Sequence, residues 1–145
     1  MTILRKACIV TLFAAAVSFS ASAQEKSLYQ RLGGYDAIAA VSDEFIGRLA
    51  TDEQEKRFFV GFSSDSKGRI RQLLVDFLCK AAGGPCVYTG RDMKTSHAGS
   101  GVSKADWERS VGILAEVLNK FKVGQKEQQD LVVLLTPLEK DIVEK

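Results

Sequence analysis

The apolar positions of this chain recur at the three- and four-residue spacing of amphipathic helices. This pattern predicts one helix from Tyr35 to Leu49, a second from Ser66 to Ala82, a third from Ser103 through Phe121, and a fourth from Lys126 to Glu144. Patterns that alternate with the two-residue period of a strand are scarce. The sequence therefore predicts an all-α fold.

Local signals mark the ends of these helices. Gly33-Gly34 precedes the first, and Gly83-Gly84-Pro85 ends the second, because glycine relaxes the backbone and proline lacks a donor. Ser103 and Asp106 have the spacing of a capping box at the start of the third helix. Pro137 is expected to bend the fourth helix.

The first 23 residues have the organisation of a signal peptide. Arg5 and Lys6 precede an apolar run from Ala7 to Phe19, and Ala21-Ser22-Ala23 supplies the small residues of a cleavage site. The run is shorter than the roughly 20 residues of a membrane span, so no membrane association is expected after cleavage. We therefore expect export, most simply to the periplasm, with an uncleaved anchor as the alternative.

Residues 24–145 are predicted to form one domain. The chain has 20 basic and 18 acidic residues, and the signal segment removes only two basic ones. Both signs alternate along the remainder, whose net charge is near zero. This excludes the clustered basic surface that nucleic acid binding requires.

The long segment from Gly83 to Val102 contains the only histidine, His97. Such a glycine-rich loop in a small domain is usually functional or disordered. A lone histidine in a loop is by itself more often a surface side chain than a metal ligand. No CxxC pair accompanies it, so a structural zinc site is not indicated.

Cys79 and Cys86 are the two thiols that follow the signal segment. Along a continuous helix they would lie roughly 10 Å apart, too far to bridge. The break at Gly83-Gly84-Pro85 allows the chain to fold back. The sequence therefore allows either a disulfide between Cys79 and Cys86 or two free thiols.

Four motifs, in order along the chain, resemble the group I truncated haemoglobins. They are residues Ser27–Gly34, Arg57-Phe58-Phe59, Ala82–Gly90 and His97–Val102. The resemblance implies a two-over-two helical sandwich around non-covalent haem b, with His97 as the iron ligand. The absence of a CxxCH motif from the sequence argues against attachment of haem through two cysteines.

Together with helical spacing, the resemblance gives candidate haem contacts, each of which could instead be ordinary core. They are Phe58, Phe59, Phe77, Leu78, Tyr88, Met93, His97, Trp107 and Val111. The positions on the gas-binding side are here all apolar. They are Phe45, Ile46, Ile70, Leu73 and Leu74. The resemblance implies that many relatives carry a tyrosine at the position of Ile46 and a glutamine or threonine at that of Ile70 or Leu74.

An apolar gas-binding side lacks the hydrogen bond that stabilises negatively polarised oxygen. Its loss corresponds to about 1.5 to 3 kcal/mol, or roughly ten- to a hundredfold in affinity. We therefore expect fast oxygen dissociation, with carbon monoxide and nitric oxide less affected. The segment Gly61–Lys67 is longer than in the family, and Ser66 or Lys67 could restore a polar group there.

The expected function is reversible binding of a diatomic gas (O2, NO or CO) for carriage, scavenging or sensing. A nitric oxide dioxygenase, served by an unknown reductase, and a peroxidase-like enzyme are alternatives. The apolar gas-binding side weighs against the dioxygenase, and the lack of a second histidine weighs against the peroxidase-like enzyme. A cofactor-free helical module that docks a partner is an alternative of another class.

Overall fold

The computed structural model describes residues 25–145. The predicted signal segment and its cleavage site therefore lie outside the described residues. Within residues 25–145, no helix combines the length and the apolar character that a membrane crossing requires.

The described part of the chain is helical and contains no strand. Its elements are α1 (Leu28–Arg31), α2 (Gly34–Thr51), a first 3₁₀ helix (Lys56–Phe59), α3 (Ser64–Ala81), α4 (Met93–His97), α5 (Lys104–Lys120), α6 (Gln125–Leu135), a second 3₁₀ helix (Thr136–Leu138) and α7 (Glu139–Ile142).

A single core cluster joins the four longest helices. Its buried members come from α2, α3, α5 and α6, and α2 packs against both α3 and α5. They are Ile38, Ala39, Val75, Leu78, Cys79, Leu114, Leu118 and Leu131. The predicted amphipathic stripes therefore do face one interior, as expected of an all-α domain.

The short helix α1 fastens the start of the domain to this core. Its Tyr29 N–H donates to the Ala82 carbonyl (2.8 Å), and the Tyr29 hydroxyl accepts from the N–H of Tyr35 (3.1 Å). Arg31 forms an ion pair with Glu127 of α6 at 2.6 Å. These contacts place α1 across α2, α6 and the end of α3.

Two predicted elements differ from the structure. The fourth helix, predicted from Lys126 to Glu144, is divided into α6, a 3₁₀ turn and α7. Proline at 137 cannot donate to the carbonyl of Val133 and its ring crowds that carbonyl, so α-helical hydrogen bonding gives way to the 3₁₀ turn at the position of the predicted bend. The backbone stays right-handed helical through this turn. The loop predicted from Gly83 to Val102 contains the helix α4, which ends at His97.

Candidate functional site

His97 is held at the end of a one-turn helix that is capped at both ends. At the start of α4, the Asp92 carboxylate accepts hydrogen bonds from the N–H (2.7 Å) and the hydroxyl (3.0 Å) of Thr95. These bonds also lower the pKa of Asp92. At the other end, the N–H and hydroxyl of Ser100 donate to the His97 carbonyl oxygen at 3.0 and 2.5 Å. The backbone around the imidazole is therefore fixed locally.

The imidazole of His97 has a defined hydrogen bond of its own. Its Nδ1 atom lies 2.8 Å from the carbonyl oxygen of Met93, one turn earlier on α4. A carbonyl oxygen can only accept, so Nδ1 must carry the proton and donate it. In the neutral ring Nε2 then keeps its lone pair. Metal-ligating histidines commonly use this arrangement, in which one nitrogen donates to a carbonyl and the other binds the metal.

The predicted pocket residues lie on partly buried apolar surface. Leu78 is buried, at 8% exposed, and Val111 is exposed at 37%. The others are half-buried: Phe45, Ile46, Phe58, Phe59, Ile70, Leu73, Leu74, Phe77, Tyr88, Met93, His97 and Trp107. The side chains of residues 25–145 that are almost completely buried include no aromatic ring. The large apolar side chains are thus available to cover a ligand.

Several of these side chains meet in one apolar cluster. Phe45 from α2, and Leu74 and Phe77 from α3, pack against the core that contains Leu78. Tyr88 lies edge-on to Phe77, with ring centroids 5.5 Å apart, and its hydroxyl donates to the Arg91 carbonyl (2.6 Å). Among the described residues, these predicted positions lie outside that cluster: Ile46, Phe58, Phe59, Ile70, Leu73, Met93, Trp107 and Val111.

A buried carboxylate, Asp106, anchors the 3₁₀ helix that carries Phe58 and Phe59. It accepts hydrogen bonds from Arg57 (2.6 Å), Gln54 (2.9 Å) and Ser103 (2.6 Å), and Arg57 lies 4.4 Å above the ring of Phe58. Burial alone would raise the pKa of Asp106, but these hydrogen bonds hold it well below its usual range. Asp106 also completes the predicted capping box with Ser103, which is confirmed.

Two further buried polar groups were not foreseen from the sequence. Glu55 is 3% exposed, and only its Oε2 atom has a partner, the Ser110 hydroxyl at 3.3 Å. Burial, followed by the negative charge of Asp106, raises the pKa of Glu55. The Ser42 hydroxyl is buried in α2 without a hydrogen-bond partner among the described residues. Helical spacing does place Ser42 on the apolar face of α2, four residues from both Ile38 and Ile46, whereas no sequence pattern marks Glu55 as buried.

Comparison with known proteins decides the family. The model of the bacterial-like globins matches residues 27–144. The chain belongs to this family. It is 32% identical over 120 residues to the group 1 truncated haemoglobin GlbN of Mycolicibacterium paratuberculosis, covering 83% of this chain and 86% of that protein.

Solved structures agree with this assignment. The truncated haemoglobin of Tetrahymena pyriformis in its Fe(III) form superposes with a TM-score of 0.76 at 25% identity, covering 83% of this globin and all of that chain. The 2/2 haemoglobin of Synechococcus gives a TM-score of 0.74 at 25% identity, with the same coverage of 83% and 100%. The two-over-two truncated globin fold is therefore confirmed.

The residues of this globin fit the cofactor that its family implies. Globins hold haem iron through a proximal histidine, and His97 has the tautomer that such a ligand needs. A porphyrin is a large apolar disc, and the half-buried aromatic and aliphatic side chains provide apolar surface for it. Nothing in this donor set conflicts with haem.

The segment from Gly61 to Lys67 is not a loop throughout. Its last four residues, 64–67, form the first turn of α3, with Ser63 as the N-cap. The Ser66 hydroxyl lies 3.1 Å from that of Ser63, and Lys67 is exposed. Ser66 is thus engaged in the start of its own helix.

Cys79 and Cys86 are joined by a disulfide, with their sulfur atoms 1.97 Å apart and their Cα atoms 5.8 Å apart. The bridge is possible because α3 ends at Ala81 and the chain turns back, with the Gly84 N–H donating to the Cys79 carbonyl at 2.8 Å. Cys79 is completely buried. The bridge therefore ties the segment that leads to Tyr88 to the core.

Glu144 is a polar residue close to the site that sequence reasoning missed. Its carboxylate accepts hydrogen bonds from the N–H groups of Gly99 and Gly101, each at 2.6 Å. These bonds lower the pKa of Glu144. The positive φ angles of the two glycines, 78° and 69°, orient both N–H groups toward it. The glycines are visible in the sequence, but their partner more than 40 residues away is not.

Proposed function

We propose that this globin binds haem b non-covalently through Nε2 of His97 and reversibly binds a diatomic gas. The hydrogen bond between His97 Nδ1 and the Met93 carbonyl carries this proposal, because it leaves Nε2 able to coordinate iron. Ferrous haem supplies an open coordination position for O2, CO or NO. The chain itself fixes the imidazole and covers the porphyrin with apolar side chains, which keep water away.

Haem binding is tested by replacing the ligand and restoring it chemically. Purified protein loaded with haem is expected to show a Soret band with the spectrum of histidine ligation. His97→Gly should lose that spectrum and regain it when imidazole is added. Lys94→Ala is the matched control, since Lys94 is an exposed residue on the same turn. An unchanged spectrum in His97→Gly without imidazole would overturn the assignment. Absence of a Soret band from the native protein would instead favour a cofactor-free helical module.

The gas preference follows from the apolar side chains on the gas-binding side. Phe45 and Leu74 pack against the core, and Ile46 and Ile70 are half-buried. All four side chains are hydrocarbons, so none of them offers a hydrogen-bond donor to a bound ligand. The Ser66 hydroxyl forms its hydrogen bond with the hydroxyl of Ser63. We infer that oxygen dissociates fast, whereas carbon monoxide, which depends less on a hydrogen bond, is retained.

Restoring a hydroxyl at position 46 tests this inference directly. Ile46→Tyr is expected to slow oxygen dissociation by roughly ten- to a hundredfold, the equivalent of one hydrogen bond to a charged group. Ile46→Phe is the matched control, because it adds the same ring without the hydroxyl. Stopped-flow measurement of oxygen release compares both with the native protein. Equal rates in the two variants would contradict the role assigned to the missing donor.

We also propose that this globin works after export to the periplasm. Its first 23 residues have the pattern of a signal peptide, and a disulfide such as Cys79–Cys86 persists best in an oxidising compartment. These two features are independent of each other. They support the same location.

Fractionation and mass spectrometry of cells that express the full chain test the export proposal. The periplasmic fraction should contain a chain that begins at Gln24 and lacks two hydrogen atoms relative to its reduced form. A chain expressed without residues 1–23 is the control and should stay in the cytoplasm with both thiols free. Finding the full chain uncleaved, with free thiols, in the cytoplasm would refute the proposal.

A further inference from the structure

The segment that follows His97 has little packing to hold it. Ala98, Gly99 and Ser100 are exposed, and the first buried side chain after His97 is that of Val102. Two residues of this segment, Gly99 and Gly101, adopt positive φ angles. A backbone with so few apolar contacts needs hydrogen bonds to keep one conformation.

Those hydrogen bonds come from the end of the sequence. One carboxylate oxygen of Glu144 accepts from the Gly99 N–H and the other from the Gly101 N–H, both at 2.6 Å. The Glu144 N–H donates to the Val102 carbonyl at 2.8 Å, and the Lys145 carbonyl accepts from the Lys104 N–H at 3.1 Å. We call these four bonds the Glu144 clasp.

The Glu144 clasp is anchored on both sides. Helix α7 ends two residues before Glu144 and packs against α4, the helix that carries His97. On the other side the clasp reaches Lys104, the first residue of α5. It therefore joins three helices at the point where the chain leaves the imidazole.

We infer that Glu144 is a positioning residue for His97, and this inference rests on the proposed role of His97 as the haem ligand. The carboxylate is bidentate, so it fixes the direction of the backbone as well as its place. Rotation of the segment 98–102 would rotate the end of α4, since Ser100 is itself bonded to the His97 carbonyl. The clasp thereby sets the orientation from which Nε2 approaches the iron.

Two variants separate the contributions of the carboxylate, and two more serve as controls. Glu144→Ala removes both side-chain acceptors, whereas Glu144→Gln keeps one oxygen and so preserves one of the two bonds. Glu108→Ala is the matched control, because it removes the same charge from an exposed residue that forms no side-chain hydrogen bond or ion pair with residues 25–145. His97→Ala is included in every measurement.

Three readouts are made on the haem-loaded protein. The first is amide hydrogen exchange of residues 98–102, which reports the clasp itself. The second is the rate of haem transfer to an excess of a haem-free globin. The third is the iron–histidine stretching band of the ferrous protein without gas, which reports the orientation of the imidazole and does not follow overall stability.

In Glu144→Ala we expect faster exchange, haem loss accelerated about tenfold, and a shifted or broadened stretching band. Glu144→Gln should fall between this variant and the native protein, and Glu108→Ala should match the native protein. Faster exchange with unchanged haem loss and an unchanged band would overturn the inference, because the clasp would then hold only a loop. If His97→Ala retained haem as the native protein does, the proposed ligand itself would be wrong, whatever the exchange data show.

Discussion

The disulfide between Cys79 and Cys86 should contribute measurably to stability although it closes a short loop. Replacing Cys86 by alanine breaks the bridge and leaves the Cys79 thiol in its fully buried position. A buried thiol behaves as a small apolar side chain, so the core around it should stay packed. The perturbation is therefore confined to the crosslink and to the loss of the sulfur atom of the half-buried Cys86.

The size of the effect follows from the length of the closed loop. Cys79 and Cys86 are seven residues apart in sequence. For a loop of that length, the lost chain entropy of the unfolded state corresponds to about 2.4 kcal/mol at 25 °C. In a domain of this size, that free energy corresponds to a decrease in Tm of about 10 °C.

Unfolding in urea, followed by far-ultraviolet circular dichroism at a fixed excess of haem, measures this difference. Haem must be held constant because any ligand of the folded state adds to the apparent stability. Reduced native protein serves as the control, since it loses the same bond without a change of side chain. Its urea midpoint of unfolding should equal that of Cys86→Ala. If the oxidised, reduced and substituted proteins shared one midpoint, the entropic reasoning would be refuted for this bridge.

Three further substitutions should change the stability of the fold, two of them upward and one downward. Burial, and then the charge of Asp106, raises the pKa of Glu55. The native protein therefore loses stability as the pH rises through that raised pKa, because the carboxyl must ionise in a buried position. Glu55→Gln removes this loss, so it should raise Tm more at pH 8 than at pH 5. Ser42→Ala should stabilise the protein by about 1 kcal/mol in urea unfolding, since it removes a buried hydroxyl without a partner among the described residues. Gly84→Ala should destabilise it by about 1 to 3 kcal/mol, because the added Cβ would lie 2.5 Å from the Tyr29 ring.

The parts of the fold that depend on neighbouring residues could be predicted from the sequence. The capping box of Ser103 and Asp106 places the start of α5 correctly, because both partners lie within one turn. The glycines and proline after α3 end that helix within a residue of the prediction. In each case the physical signal and its effect lie in the same few residues.

The helix that carries His97 shows where local patterns become too weak. With five residues, α4 is too short for an apolar periodicity, and the glycines around it indicate a loop. The available signal is the spacing of Asp92 and Thr95, which matches an N-cap bond to the third residue of a helix. That spacing is common in turns as well, so it predicts a helix only in combination with other evidence.

The polar contacts of the site lie beyond any local pattern. Arg57 meets Asp106 across 49 residues, and Gly99 meets Glu144 across 45. Charges of both signs occur along the whole chain, so many such pairs are conceivable. Only the packing of the helices selects among them. The gas preference, by contrast, was inferred from single positions such as Ile46 and remains a prediction.

The distribution of burial explains why polar contacts are needed around His97. The core takes its completely buried side chains from α2, α3 and α5, whereas α4 has none. Apolar packing therefore stabilises the scaffold but leaves the turn that carries His97 to be fixed by Asp92, Ser100 and Glu144. A consequence is that changes in these three residues should alter the iron–histidine bond more than the unfolding midpoint. Changes that disturb contacts with the core, such as Gly84→Ala next to Cys79, should do the reverse. On the proposed ligation, His97 would thus be oriented by hydrogen bonds that contribute little to the stability of the fold.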